Sequence, residues 1–166
     1  MRAKGFAKAT VGTHYDGRAA EVRALDAYIK LTRALSSLDA RLAPGLADVG
    51  LTPTQLGILE ALLHLGPLGQ RTLGAKLLSS GGNITTVVDN LERRGLVRRE
   101  RRDDDRRNVT VHLTSDGRRL ISKVFPAHVR AIVDAFSALT TAEQETLGRL
   151  AKKLGLSQQE ARRQPT

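Results

Sequence analysis

The fold is decided by residues 81–97, which read GGNITTVVDNLERRGLV. Apolar side chains recur in this stretch at helical spacings, at Ile84, Val87, Val88 and Leu91. Short polar side chains occupy the opposite edge or its margin, at Asn83, Thr85, Thr86, Asp89 and Asn90. The pattern predicts an amphipathic helix over about Gly82–Arg94, which Gly95 ends because glycine readily adopts the left-handed conformation of a helix C-terminus.

Two helices upstream complete a helix-turn-helix. Residues 52–55 (Thr-Pro-Thr-Gln) form a capping box with proline at the first helical position, which predicts a helix to Leu65, stopped by residues 66–67 (Gly-Pro). A shorter apolar helix is predicted over Gln70–Leu78, and only residues 79–81 separate it from the next helix.

A two-stranded hairpin is predicted after Gly95. Residues 96–102 form its first limb, residues 103–107 its polar tip and residues 108–113 its return limb. Apolar and polar residues alternate along the return limb, which is typical of a strand with one buried face. The hairpin therefore forms a wing beside the helix-turn-helix.

Helical periodicity predicts three longer helices, at about Arg18–Leu42, Thr114–Leu139 and Thr140–Gly155. Pro44 is expected to end the first together with Gly45, and Pro126 to kink or split the second, because proline removes a backbone donor and clashes with the preceding turn. The fold class is mainly α with a small β-hairpin wing.

The composition favours a nucleic-acid partner. Lysine and arginine total 27 against 17 acidic residues, which gives a net charge of +10. The five aromatic residues are not interleaved with the basic clusters, so duplex DNA is favoured over a stacked single strand. With no cysteine, no secretory signal and no transmembrane-length apolar run, we expect a cytoplasmic protein without membrane contact.

The polar helix edge and the hairpin carry chemistry suited to DNA. Asparagine can bind adenine through two hydrogen bonds, and threonine can contact base edges or a thymine methyl group. Residues 92–107 contain eight arginines against five acidic residues, and arginines can hold phosphates on both sides of a groove. The alternatives are an ordinary solvated helix face and a solvated charge run.

Residues 83–97, followed by Asp-Arg-Arg at 105–107 and Leu-Thr-Ser-Asp-Gly at 113–117, resemble the MarR family of bacterial regulators. The resemblance spans about Leu25–Leu154. It implies a homodimer whose N- and C-terminal helices interlock and whose two winged lobes bind a palindromic operator. It also implies that Arg107 at the wing tip enters the minor groove and that Asp105 pairs with a neighbouring arginine to hold the wing.

On this basis, the expected DNA contacts are Gly82, Asn83, Thr85, Thr86 and Asn90 in the recognition helix and Arg101, Arg106 and Arg107 in the wing. Gly82 belongs to a glycine pair that either forms a plain turn or lets backbone N–H groups approach a phosphate.

The expected domain organisation is a mobile basic arm over residues 1–17 and a single domain over 18–166. Within that domain, residues 18–45 and 115–156 form dimerisation helices, and residues 52–113 form the winged helix-turn-helix.

The long outer helices have apolar stripes that one lobe is too small to cover. We expect the dimer interface to include Tyr28, Leu35, Ile132, Phe136, Leu147 and Leu150. The alternative is that these residues fill a monomeric core.

The expected regulation is control by a small molecule or none. The resemblance implies a repressor of neighbouring genes, released by a small phenolic or aromatic molecule, and the absence of cysteine excludes thiol-based sensing. Tyr28 and His64 are the candidate ligand contacts, although either can instead be a packing or surface residue.

Two other functions are compatible with parts of the sequence. Residues 103–105 (Asp-Asp-Asp) could bind Mg²⁺ as a nuclease would, but consecutive side chains on a hairpin rarely converge on one ion. A sequence-indifferent architectural DNA binder is the other alternative. No catalytic motif, metal-ligand spacing or cofactor site is recognised, so we expect no enzyme.

Overall fold

A computed structural model of the chain describes residues 13–77, 81–102 and 105–163, without the side chains of 81–82, 101–102, 105–108 and 159–163. The chain forms two compact units that divide between Arg41 and Leu42. Residues 1–12, most of the predicted basic arm, lie outside the described residues.

The described helices are α1 (Ala19–Ala47), α2 (Pro53–Leu65), α3 (Gln70–Lys76), α4 (Gly81–Arg93), α5 (Ser115–Ala135) and α6 (Thr141–Arg163). The described strands are β1 (Leu68–Gly69), β2 (Val97–Arg102) and β3 (Asp105–Leu113), which form an antiparallel sheet in the order β1-β3-β2. The mainly α fold with a small wing is thus confirmed. Strand β1 was not predicted, because two residues are too short to show a periodic pattern.

The hydrophobic core lies in the second unit and joins the helix-turn-helix to the sheet. It gathers side chains from α2 to α5 and from both wing strands, including Ile58, Leu59, Leu62, Leu73, Ile84, Val88, Leu91, Val97, Val111 and Ile121. The predicted apolar face of α4 therefore packs inward, and its polar edge is left at the surface.

The prediction that Pro44 and Gly45 end α1 is wrong, because the helix continues to Ala47. Its true terminator is Gly50, which has φ of 63°. The Gly50 N–H donates to the Ala47 carbonyl and the Leu51 N–H to the Leu46 carbonyl, which is the Schellman pattern. Leu46 and Leu51 are both buried, so the free energy gained by packing at the helix end outweighs the loss of the one backbone hydrogen bond that Pro44 cannot donate.

Two other helix predictions also need correction. Helix α5 is one continuous element with Pro126 inside it, so the proline does not split it. Helix α6 begins at the predicted capping box, in which the Glu143 carboxylate accepts from the Thr140 N–H at 2.8 Å. It does not close near Gly155 but runs to Arg163, since one glycine in a run of good helix formers costs only about 1 kcal/mol.

The turn from α4 into β2 is tied to the start of α5. Gly95 has φ of 68°, and the Leu96 N–H donates to the Leu91 carbonyl at 3.0 Å, which ends α4 in a second Schellman motif. The Thr114 hydroxyl donates to the Gly95 carbonyl at 2.7 Å and accepts from the Gly117 N–H. The Leu-Thr-x-x-Gly sequence therefore joins the recognition helix, the wing and α5 at one point.

Gly117 lies where a side chain has no room. A Cβ atom at this position would overlap the Leu96 carbonyl oxygen and lie 2.9 Å from Leu113 Cδ1. We expect Gly117→Ala to lower the free energy of unfolding by at least about 1–3 kcal/mol, because a backbone atom cannot move aside cheaply. Gly148→Ala on α6 is the matched control, since nothing lies within 4 Å of its Cβ position and alanine favours a helix. Urea unfolding of both variants tests this, and equal stability of the two would contradict it.

Candidate nucleic-acid interface

The outer edge of α4 presents short polar side chains, of which Asp89 is charged. Asn83, Thr85 and Thr86 are exposed, whereas Asp89 and Asn90 are half-buried. The burial of Ile84, Val88 and Leu91, each 1% exposed or less, fixes the rotation of the helix that produces this edge.

Thr85 and Asn90 show how predicted base contacts are held by hydrogen bonds within the protein. The Thr85 hydroxyl accepts a hydrogen bond from the Gln70 side-chain amide at 2.8 Å, which links α4 to the start of α3. The Asn90 side-chain oxygen accepts from the Arg93 guanidinium. The edge is therefore preorganised from both ends, and sequence reasoning did not anticipate Gln70.

Arg99 of β2 connects the wing to α4. Its guanidinium lies 2.5 Å from the Asp89 carboxylate and 3.3 Å from the Glu92 carboxylate. It also donates to the Thr85 carbonyl at 3.2 Å, and the Arg99 N–H donates to Glu92 Oε1 at 2.8 Å. The side chain is 20% exposed, so Arg99 joins two elements of the fold and is not a solvent-exposed positive charge.

Arg94 is a second arginine with an internal role. Its guanidinium donates to the Gly50 carbonyl at 2.6 Å and to the Val49 carbonyl at 3.3 Å. It thereby joins the C-terminal end of α4 to the turn that ends α1. The interpretation of the basic run as a set of phosphate contacts therefore does not describe Arg94 and Arg99.

The wing has an irregular register near its tip. Arg101 pairs with Val109, but the next pair is Arg102 with Asp105, so the register of the hairpin shifts between Arg101 and Arg102. The return strand thus begins at Asp105 rather than at residue 108 as predicted. The side chains of Arg101, Asp105, Arg106 and Arg107 lie outside the described residues, as does any structure of residues 103–104. Gly82 lies in the first turn of α4.

One face of the wing carries a cluster of three charged or titratable side chains. Glu100 Oε2 lies 2.9 Å from Arg98 Nη1 and 3.1 Å from His112 Nε2. The hydrogen bond from Arg98, with the charges of His112 and Arg98, holds the pKa of the Glu100 carboxyl below its ordinary value. Glu100 therefore stays ionised and engages Arg98 at neutral pH.

The residues predicted for the dimer interface are not part of the buried core in the described chain. Tyr28 is 66% and Leu150 54% exposed, and Leu35 and Leu147 are also exposed. Ile132 and Phe136 are half-buried.

The two predicted ligand contacts belong to different units. Tyr28 lies in the first unit and His64 in the second, where the His64 ring packs edge-on against Phe125 with centroids 5.5 Å apart. A pocket of about 440 Å³ at the start of α5 is lined by Leu113, Thr114, Ser115, Arg118, Arg119 and Ser122. Neither predicted ligand residue lines this pocket.

Comparison with known proteins identifies the arrangement. The MarR family model matches residues 51–109, the helix-turn-helix and most of the wing. The HTH-type transcriptional regulator YkoM of Bacillus subtilis is 37% identical over 137 residues, which cover 82% of this chain and 89% of YkoM. The chain belongs to the MarR family. It is thus related to transcriptional regulators rather than to enzymes.

Solved MarR-type structures share this fold. Sco3205 of Streptomyces coelicolor, a MarR family regulator in complex with DNA, is 25% identical with a TM-score of 0.74, over 86% of this chain and 91% of Sco3205. BpsR of Bordetella bronchiseptica, whose DNA binding is regulated by 6-hydroxynicotinic acid, is 27% identical with a TM-score of 0.68, over 75% of this chain and 94% of BpsR.

Within this MarR chain, the sequence does contain a signal for Arg99. Val97 and Arg99 lie two residues apart on β2 and therefore on the same face of the strand. Because Val97 is buried, an apolar residue is expected at position 99. Asp89 and Glu92 lie three residues apart on α4 and supply acidic partners on one side of that helix. Among the described residues no cluster of three metal-ligating side chains occurs, and no described helix is long and apolar enough to span a membrane.

The Arg98–Glu100 contact has a direct test. Arg98→Gln should raise the pKa of Glu100 toward its ordinary value, because the main hydrogen bond to the carboxylate is lost. Arg93→Gln removes the same charge from α4, where Arg93 contacts Asn90, and should leave the pKa of Glu100 unchanged. Carboxyl ¹³C chemical shifts followed against pH report the titration. The same Glu100 pKa in the wild-type protein and Arg98→Gln would contradict the assignment.

Proposed function

We propose that the chain is a homodimeric repressor that binds a palindromic operator in double-stranded DNA. The proposal rests on one observation: the polar edge of α4 lies beside an arginine-rich wing, and Arg99 joins the two. A helix of this kind fits the major groove, and a thin basic hairpin can reach the adjacent minor groove.

The residues proposed to contact DNA divide into two groups. Asn83 and Thr86 are the base-reading candidates on the exposed edge, with Thr85 and Asn90 held beside them by internal hydrogen bonds. Gly82 and the wing residues Arg101, Arg106 and Arg107 are proposed to contact phosphates or the minor groove, with Asp105 orienting the wing. These roles rest on sequence position and on the family.

The dimer is supported by apolar side chains that one chain leaves exposed. Tyr28 and Leu35 are exposed on α1, and Leu147 and Leu150 are exposed on α6, and large exposed apolar side chains favour a protein partner. We propose that a second copy covers them together with Ile132 and Phe136. Two recognition helices would then lie about 34 Å apart, one turn of DNA.

The proposal includes control by a small phenolic or aromatic ligand. The regulation of the related BpsR by 6-hydroxynicotinic acid supports it. Tyr28 and His64 stay the proposed contacts. A ligand that lowers DNA affinity must bind more tightly to the form of the dimer that does not fit DNA.

Substitutions in the two groups should affect DNA binding differently. A genomic selection for bound fragments should first return a recurrent palindrome. Asn83→Ala and Thr86→Ala should each weaken binding to it by about 1–3 kcal/mol and relax the preference for one base pair. Arg107→Ala should also weaken operator binding, whereas Arg149→Ala on α6 is the control for loss of one positive charge. Fluorescence anisotropy measures each affinity.

The two alternative functions have distinct outcomes. Uniform recovery of fragments in the genomic selection would indicate an architectural DNA binder. Cleavage of a plasmid in the presence of Mg²⁺ would indicate a nuclease.

Ligand control is tested in the same assay. Hydroxylated aromatic carboxylates, beginning with 6-hydroxynicotinic acid, should lower operator affinity about 5–150-fold, the range of a coupling free energy of about 1–3 kcal/mol. Cyclohexanecarboxylate, a carboxylate of similar size without an aromatic ring, serves as the control ligand. Unchanged affinity throughout the series would contradict this part of the proposal while leaving DNA binding intact.

A further inference from the structure

We propose that Arg99 is a positioning residue that fixes the wing at one angle to α4, so that both elements fit a single DNA site together. The inference rests on the proposed function, since it assigns a role within the same DNA-binding surface. Arg99 does not contact DNA in this proposal. It acts through Asp89, Glu92 and Thr85, which it holds.

The contacts of Arg99 cover one stripe along α4. Thr85, Asp89 and Glu92 are spaced four and three residues apart, so they lie on one side of the helix over two turns. Nη2 reaches Asp89 and the Thr85 carbonyl, and Nη1 reaches Glu92. A planar guanidinium held at both terminal nitrogens restrains the rotation of α4 as well as its distance from β2.

The backbone adds a second restraint at the same residue. Strand β2 lies at the edge of the sheet, with β3 as its only neighbour in the sheet order. The Arg99 N–H donates to the Glu92 carboxylate at 2.8 Å, so Glu92 binds both the backbone and the side chain of one wing residue. The wing is therefore attached to the recognition helix halfway along β2.

Arg98, the neighbour of Arg99, is an exposed arginine whose described contacts stay within the wing. Its side chain is 56% exposed and contacts only Glu100 of its own strand among the contacts described for it. Arg99 is 20% exposed and has three partners on another element. Its buried Nε atom has no hydrogen-bond partner in the described structure, so the pair carries an unsatisfied donor. The carboxylates of Asp89 and Glu92 are 47% and 38% exposed, and ion pairs with exposed partners add little net stability, which favours a role in fixing geometry.

A second explanation must be separated from positioning. Asp89 and Glu92 carry negative charge close to the edge proposed to face DNA, and Arg99 could serve only to neutralise them. Loss of Arg99 would then weaken binding to any DNA by repulsion. Positioning predicts instead that binding to the operator is lost while binding to unrelated DNA is largely kept.

The test compares the affinity for the operator with that for an unrelated duplex of the same length. In Arg99→Gln and Arg99→Lys, we expect the ratio of the two affinities to fall at least about tenfold, the size of one lost base contact. In the triple variant Arg99→Gln, Asp89→Asn, Glu92→Gln, the ratio should stay low although the repulsion is removed. Arg98→Gln is the matched control and should keep the wild-type ratio. In Arg99→Lys, the slope of log operator affinity against log salt concentration should equal that of the wild-type protein, because Arg99 contacts no phosphate in this proposal.

Each other outcome is decisive. A wild-type ratio in Arg99→Gln, a ratio restored in the triple variant, or an equal loss on both duplexes in Arg99→Gln and Arg99→Lys would overturn the positioning role. Retained binding to the unrelated duplex shows that a variant is folded. If the wild-type protein itself prefers no sequence, the proposed function fails, which is distinct from a failure of the Arg99 variants alone.

Discussion

The burial of one face of α4 is the constraint on which the rest of the structure depends. Ile84, Val88 and Leu91 are all but inaccessible to solvent, and burying each such side chain contributes about 1.5–3 kcal/mol. The hydrogen bonds at the opposite edge contribute about 0.5–1.5 kcal/mol each. The core therefore sets the rotation of the helix, and the polar contacts refine it. An edge that contains Asn83 and Thr86 faces outward because the apolar residues must face inward.

The arginines of residues 92–107 have different structural roles although they are close together in the sequence. Arg94 binds backbone carbonyls at the end of α1, and Arg99 binds two carboxylates and a carbonyl of α4. Arg98 is exposed and pairs with Glu100 on its own strand. A basic run next to a recognition helix is thus part scaffold and part binding surface. The number of arginines in the run therefore exceeds the number that is free to contact phosphates.

Much of this architecture could be predicted because local signals and tertiary packing agree. The capping box at Thr52 and Gln55, the terminator Gly95 and the alternating strand before Leu113 all lie where the sequence places them. Predictions failed where packing outweighed a local signal. Helix α1 passes Pro44 because Leu46 and Leu51 are buried at its end, and β1 exists only because Leu68 pairs with Val111.

The candidate site was predictable in outline but not in its internal contacts. Spacing on α4 identified the outward residues, since helical periodicity needs no tertiary information. It could not show that Gln70 holds Thr85 or that Arg99 crosses from β2 to α4, because those contacts join residues 14 and 15 positions apart. Whether an arginine faces a carboxylate or a solvent-exposed groove depends on strand register, which shifts between Arg101 and Arg102 in this wing.

Chemical protection of the bound operator tests the central claim most directly. Dimethyl sulfate methylates guanine at N7 in the major groove and adenine at N3 in the minor groove, so one reagent reports both elements. If α4 and the wing bind one site together, guanines in two half-sites about 10 base pairs apart should be protected, with adenines protected at the adjoining minor grooves. Protection in only one groove, or none above that of unrelated DNA, would contradict the account.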